Sequence, residues 1–105
     1  MTKISEPKIQ ELNPHDIEVD LGTRLRGVSE AGVLSLVASI NDLGVMKDAI
    51  HVRKKRRKSG ETLVLMAGAH RLAAAKYLGW SAIPARVWVD VSDDFARLME
   101  IDDNL

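Results

Sequence analysis

The stretch LMAGAHRLAAAKYLGW, residues 65 to 80, places a histidine and an arginine where an apolar run gives way to an alanine-rich helical pattern. Gly68 and Ala69 add almost no bulk, so a ligand can approach the backbone closely there. A helix that begins at about Ala69 presents unpaired N–H groups and the positive end of its dipole, which favour an anion. Arg71 can supply a bidentate fork and His70 a second donor. These residue types predict phosphate binding.

The same residues also fit a purely structural interpretation. A glycine before a helix is common, an arginine in a first turn is often only solvated, and a lone histidine is often a satisfied structural residue. A metal held by imidazoles is not indicated, because His15, His51 and His70 show no pairing at ligand spacing. Residue chemistry alone therefore leaves both interpretations open.

Composition limits the classes of protein that this chain can represent. Its 105 residues suit a single domain over residues 1–105, and 46% hydrophobic with 29% charged residues is typical of a globular protein. No apolar stretch approaches the roughly 18 residues that span a bilayer. The first ten residues lack the apolar core of a secretory signal, so a cytoplasmic location without membrane contact is expected. The absence of cysteine excludes thiolate chemistry and cysteine zinc sites.

Charge is balanced overall, with 15 basic and 15 acidic residues, but it is unevenly distributed. The chain is acidic from Ser92 onward and carries one unbroken basic run. One interpretation is that the run contacts the backbone of a nucleic acid, where it would release counterions without reading the base sequence. The alternative interpretation is a solvated hairpin tip whose charge prevents pairing with other strand edges. The candidate DNA contacts are Arg53, Lys54, Lys55, Arg56, Arg57 and Lys58.

Periodicity predicts the elements that position these residues. Residues 8–12 favour a strand, and NPHD after it favours a turn. Ser29 is a suitable N-cap and Gly44 a suitable end for a helix. The apolar stripe of that helix consists of Val33, Leu36, Val37, Ile40 and Leu43.

The second half of the chain continues with alternating elements. Residues 49–54 and 61–67 read as a hairpin whose connecting segment carries the basic run and a Ser-Gly turn. A helix over about 69–78 and a strand over 82–89 follow, and Ser92 then caps a last helix. The order β-α-β-β-α-β-α predicts a small α+β, or mixed α/β, domain.

Aromatic and apolar residues near the helix ends indicate packing roles. Tyr77 and Trp80 flank the end of the second helix and are expected in the core rather than in a base-stacking platform. The final helix is expected to pack on the domain or on a second copy through Phe95, Leu98, Met99 and Ile101.

The segment AGAHRLAAAKYLGWSAIPARV resembles the GxHRLxAAKxLGWxxIPA stretch of ParB-like proteins, in the ParB/sulfiredoxin fold family. LNPHDIEV, RLRGVSEAGVLSLVASINDLGV and LVLMAGAHR are similar to further segments of the family, so the resemblance covers nearly the whole chain. It implies the small α+β fold of that family, a role in plasmid partition, chromosome segregation or a related DNA-associated process, and a homodimer.

The resemblance implies binding of a nucleotide triphosphate, CTP or ATP, with Mg²⁺ offsetting the phosphate charge. Gly68, His70, Arg71 and Ala74 fall on the phosphate-binding motif GExRxxA, and Ala69 stands where ParB proteins have glutamate. The base-contacting motif TxxR fits residues 23–26, so its candidate contacts near the base or phosphates are Thr23, Arg24 and Arg26.

Two further family motifs match less well. The ENxxR motif would begin at Asp103-Asn104, which makes Asn104 a candidate contact, but Leu105 is the last residue of the sequence and precedes the motif's arginine. The GxxQP motif falls on residues 44–48, where GVMKD has neither glutamine nor proline; Lys47 and Asp48 are the residues that could substitute. Because of these departures, the sequence lacks the full set of motifs for CTP hydrolysis of the ParB type.

Three functions follow as hypotheses. The first is a nucleotide switch in a partition or DNA-associated regulatory protein. No helix-turn-helix fits in these residues, so sequence-specific reading of DNA is not expected from them unless a longer parent chain or a partner supplies it. The second is an enzyme of the same fold: a small-molecule kinase, with Glu30 or Asp48 as base, or a nuclease, which needs clustered carboxylates. Sulfinic acid reduction is excluded, since Ala69 replaces the cysteine of sulfiredoxin. The third is an interaction module without nucleotide.

Overall fold

The computed structural model of this chain describes residues 6–19 and 28–103, which form one mixed sheet covered by helices. This arrangement confirms the predicted α+β class. The described elements, in chain order, are β1 (Ile9–Leu12), a 3-10 helix (Pro14–Asp16), β2 (Ile17–Glu18), α1 (Glu30–Leu43), β3 (Ile50–Arg57), β4 (Gly60–Ala67), α2 (Ala69–Tyr77), β5 (Ile83–Trp88) and α3 (Asp93–Asp103).

The sheet has the strand order β1-β5-β3-β4-β2. β3 lies at its centre, antiparallel to β4 and parallel to β5. β1 pairs antiparallel with β5, and β2 pairs parallel with β4. β4 ends at Ala67, directly before Gly68. α2 therefore begins beside the first residue of the central strand, Ile50, which is fully buried.

Both faces of the sheet are covered. Neighbouring residues of a strand point to opposite sides, so the same strand contributes to the packing on each face. On one side Leu65 and Val87 pack in a cluster with Leu72 and Ala75 of α2, and α1 packs behind it through Val37 and Ile40 against Ala74. On the other side the next residues along these strands, Met66 and Trp88, pack with Ala96 of α3. The sheet therefore has α1 and α2 on one side and α3 on the other.

The helix boundaries agree with their predicted caps. Ser29 Oγ accepts a hydrogen bond from the Gly32 N–H at 3.1 Å, and α1 ends at Gly44 in the left-handed conformation with φ of 78°. Ser92 Oγ accepts from the Phe95 N–H at 3.0 Å at the start of α3. These predictions are confirmed because capping depends on local residue chemistry.

Three expectations differ from the structure. β2 adds a short strand that periodicity missed, since two residues carry no period. The basic run was expected in the connecting segment, but β3 extends to Arg57 and only Lys58 lies in the turn, because cross-strand pairing with β4 continues to Gly60. Tyr77 is 66% exposed rather than in the core, whereas half-buried Trp80 packs against both clusters on the α2 side.

Among the residues that the structure describes, no helix is long and apolar enough to cross a bilayer.

Candidate functional site: the β4–α2 junction

The junction between β4 and α2 is a tight turn built on Gly68. Gly68 has a φ of 102°, a conformation that side chains disfavour, and a Cβ added there would lie 2.7 Å from Cγ2 of Ile50. The first intrahelical hydrogen bond runs from the Leu72 N–H to the Gly68 carbonyl at 2.9 Å. The N–H groups of Ala69, His70 and Arg71 precede it, so they lie at the positive end of the helix dipole.

A carboxylate of the chain already lies against this junction. The Gly68 N–H donates to Oδ2 of Asp103 at 2.9 Å, and Nη2 of Arg71 donates to Oδ1 of the same side chain at 3.2 Å. Asp103 is the last residue of α3, so the end of one helix meets the start of another. Arg71, one of the two side-chain donors that the sequence predicts for phosphate, therefore converges with the Gly68 N–H on one anion, whereas His70 does not.

The guanidinium of Arg71 retains unused hydrogen-bonding capacity. Its side chain is only 20% exposed, and its buried Nε has no hydrogen-bond partner within the described part of the chain. A buried donor without a partner is costly, and a guanidinium presents its donors in a planar fork that fits phosphate oxygens. Arg71 therefore has a buried donor that the Asp103 carboxylate does not satisfy.

His70 connects the junction to α1. Its Nε2 accepts a hydrogen bond from the backbone N–H of Ser29 at 3.2 Å, so Nδ1 is the ring nitrogen that remains to donate. The imidazole also packs closely on Gly32, where an added Cβ would lie 2.9 Å from the ring. His70 thus has a structural role between the two helices, and its contact with phosphate stays a prediction.

His51 is a residue near the site that sequence reasoning missed. It pairs in register with Ala67, directly before Gly68, and its Nδ1 accepts a hydrogen bond from Nε1 of Trp88 at 3.0 Å. Burial lowers the pKa of His51 below its usual value, and the charges of Arg71 and Asp103 act on it in opposite directions. No local spacing signals this placement, because it arises from strand pairing and a contact across β3 and β5.

Several candidate residues lie outside the described residues: Thr23, Arg24, Arg26 and Asn104. Of the candidate bases, Glu30 begins α1 next to Ser29, and Asp48 is exposed before β3. No group of three histidine, cysteine, aspartate or glutamate residues in 6–19 and 28–103 is arranged to hold a metal. Of the site residues that the sequence predicts, the structure places four at the start of α2: Gly68, Ala69, His70 and Arg71.

The basic run divides into paired and unpaired cations. Arg53 forms an ion pair with Asp93 at 2.9 Å, which lowers the pKa of that carboxyl group, and Arg57 pairs with Glu18. The other four are exposed and form no ion pair with the described residues: Lys54, Lys55, Arg56 and Lys58. We call these four side chains the basic ribbon.

Comparison with solved structures finds several proteins of similar fold. Sulfiredoxin from Arabidopsis thaliana superposes with a TM-score of 0.66 and 26% identity, covering 89% of this chain and 97% of that chain. The C-terminally truncated chromosome-partitioning protein ParB from Caulobacter crescentus, complexed with CTP-gamma-S, superposes with a TM-score of 0.77 and 22% identity, covering 92% of this chain. The same protein complexed to the centromeric parS site superposes with a TM-score of 0.68 and 20% identity, covering 90% of this chain.

This chain spans about half of those ParB chains, 52% and 46% of their lengths. No curated protein sequence matches it. The model of the ParB N-terminal domain matches residues 1–105. Together with the junction and the sheet order described above, this match shows that the chain belongs to the ParB N-terminal domain family.

Proposed function

We propose that this chain binds a nucleotide triphosphate at the β4–α2 junction and acts as a nucleotide-dependent switch in a partition or DNA-associated regulatory protein. The observation that carries the proposal is the convergence of the Gly68 N–H and the Arg71 guanidinium on one carboxylate. Donors arranged around an anion at a helix N-terminus are the chemistry that binds phosphate groups.

Residue roles follow from this placement. Gly68, Ala69 and Arg71 bind the phosphates together with the Nδ1 donor of His70. By family resemblance, Thr23, Arg24, Arg26 and Asn104 contribute near the base or the phosphates. The ligand is CTP or ATP, and the CTP-gamma-S complex of the ParB relative supports the first. Mg²⁺ offsets the phosphate charge.

The test is a calorimetric titration of CTP, ATP and GTP with Mg²⁺ into the chain and into Arg71→Ala. We expect micromolar binding of one nucleotide and a loss of about 100-fold or more in Arg71→Ala, since two charge-assisted hydrogen bonds disappear. Arg97→Ala, which removes an exposed arginine of α3, is the matched control and should bind like the unchanged chain. No binding of any nucleotide by the folded chain would contradict the proposal and favour an interaction module.

Assays of product formation separate the enzymatic alternatives of this fold. A small-molecule kinase releases nucleotide diphosphate in proportion to an added acceptor, whereas a switch does not. A nuclease degrades DNA with a divalent metal and requires clustered carboxylates. The described residues offer no such cluster, which favours the switch.

We further propose that the basic ribbon contacts the DNA backbone without sequence preference. Its four cations are exposed and unpaired in the described region, whereas Arg53 and Arg57 are already neutralised by carboxylates. The homodimer implied by the family stays a prediction as well; Leu98 and Ile101 are exposed apolar residues of α3 that such contact would cover.

Replacing all four ribbon residues by glutamine is expected to weaken binding to random-sequence duplex DNA. The slope of log affinity against log salt should fall in magnitude by about 3.6, because each of the four phosphate contacts contributes roughly 0.9 to it. The measurement is fluorescence anisotropy at several salt concentrations. The control replaces four other exposed cations by glutamine: Lys8, Lys47, Lys76 and Arg97. Equal losses in both variants would show that only net charge matters and would reject the ribbon.

A further inference from the structure

The outer part of the β3–β4 hairpin extends beyond the other strands of the described sheet. β5 pairs with β3 only as far as Arg53, and β2 pairs with β4 at residues 63–64. The hairpin continues past both pairings to a tight turn at residues 58–59. We call residues 54–61 the hairpin arm. It is exposed along its whole length, and neither of its edges is paired within the described part of the chain.

The cations of the hairpin arm lie on both of its faces, because neighbouring residues of a strand point to opposite sides. Lys54 and Arg56 follow Val52 at every second position. Val52 packs in the cluster beneath α2, so both cations point to the α2 side of the sheet. Lys55 follows Arg53, whose ion-pair partner belongs to α3, so Lys55 points to the α3 side. A flat polyanion against one face would leave the cations of the other face without a partner.

The net charge of the arm is the same on its two faces. Glu61 lies opposite Arg56 in the register, so it is on the α2 side and offsets one of the two cations there. On the α3 side Arg57 is neutralised by Glu18, which leaves Lys55 as the free cation. Each face therefore carries one net positive charge, and the last cation of the basic ribbon lies in the turn.

A groove with phosphates along both walls matches this arrangement. The major groove of B-form DNA is about 12 Å wide and about 8.5 Å deep, and it admits a two-stranded ribbon, whose strands lie about 4.8 Å apart. Residues 54–57 extend the arm by about 14 Å at roughly 3.4 Å per residue, which exceeds the depth of the groove. The small residues Ser59 and Gly60 keep its end narrow. The minor groove, about 6 Å wide, is too narrow for two strands with their side chains.

We propose that the hairpin arm enters the major groove of duplex DNA with its turn leading. Lys54 and Arg56 contact the phosphates of one wall, Lys55 contacts those of the other wall, and Lys58 lies between them. This inference rests on the proposed DNA contact of the basic ribbon and adds the way in which the duplex is held. The contacts are to phosphates, so the arm orients the duplex on the domain without reading its sequence.

The first test fills the major groove and leaves the phosphates unchanged. Fluorescence anisotropy of the unchanged chain is measured with a DNA duplex and with the same duplex in which glucosylated hydroxymethylcytosine replaces cytosine. The added sugars occupy the major groove. We expect affinity to fall about tenfold at equal salt, because the cations of only one face then reach phosphates. Equal affinity for the two duplexes would show that the arm lies outside the major groove, and the proposal would be wrong.

Variants of the two faces test the contacts themselves. Lys54→Gln combined with Arg56→Gln, and Lys55→Gln alone, should lower the magnitude of the slope of log affinity against log salt by about 1.8 and about 0.9. Lys76→Gln, which removes an exposed cation of α2, is the control and should leave the slope unchanged. A change in only one of the two face variants would mean that DNA docks on one face, and would overturn insertion.

The variant that lacks all four cations of the basic ribbon separates this inference from the function on which it rests. If that variant binds DNA as the unchanged chain does, the proposed DNA contact is itself wrong. If it loses affinity while the unchanged chain binds plain and glucosylated duplexes equally, the DNA contact stands and only the insertion into the groove is wrong.

Discussion

Gly68→Ala is expected to destabilise the folded chain by about 3 kcal/mol. Two costs add: placing alanine at a φ of 102° costs about 1 kcal/mol or more, and the new Cβ lies 2.7 Å from Cγ2 of Ile50. Ile50 is fully buried in the central strand, and its Cα lies only 3.3 Å from the added atom, so the overlap cannot be relieved by a side-chain rotation alone. The midpoint of thermal unfolding should fall by roughly 12 °C or more.

Gly44→Ala separates the two costs of this substitution. Gly44 also has a positive φ, 78°, but an added Cβ there meets no atom within 4 Å. This control should cost only about 1 kcal/mol, from the backbone conformation. Both variants are measured by urea unfolding followed by circular dichroism. Equal destabilisation would mean that the contact with Ile50 is unimportant and that conformation alone requires glycine at the junction.

The elements of this fold that sequence analysis located are those with local signals. Ser29 and Gly44 delimit α1 by capping chemistry, which involves residues within one turn of each other. Apolar runs indicate β3, β4 and β5, but they do not indicate the length of β3, because lysine has low strand propensity and the basic run lacks apolar alternation. Hydrogen bonding to β4 overrides that propensity as far as Arg57, so the basic residues lie along a strand.

The candidate site can be predicted only in part, because only some of its contacts join residues that are close in sequence. Gly68 and Arg71 are close in sequence, and the strand-turn-helix pattern places them together without knowledge of the fold. Asp103 meets them from 35 and 32 residues away, and the Ser29 amide meets His70 from 41 residues away. Such contacts depend on how α1 and α3 pack on the sheet, which spacing along the chain does not encode.

Leu72→Ala is expected to cost about 2–5 kcal/mol of folding free energy, which places it with Gly68→Ala among the most damaging substitutions in this domain. Leu72 is 2% exposed and packs between α2 and the sheet, in the cluster that includes Ile50 and Leu65. Leu43→Ala is the matched control, because Leu43 lies at the end of α1 and is 59% exposed; it should change stability by less than about 0.5 kcal/mol.

Leu72 follows Arg71 directly, so its packing also determines where the guanidinium lies relative to the Gly68 amide. At a temperature where Leu72→Ala remains folded, its backbone donors and Arg71 are all present, and only their positioning is loosened. Its nucleotide affinity should therefore fall less than that of Arg71→Ala, while its unfolding midpoint falls far more, because Arg71 lies at the edge of the domain with 20% of its side chain exposed. Parallel losses of affinity and stability in both variants would instead mean that the site is sensitive to helix stability alone. The two measurements together separate what α2 contributes as a scaffold from what Arg71 contributes as a ligand contact.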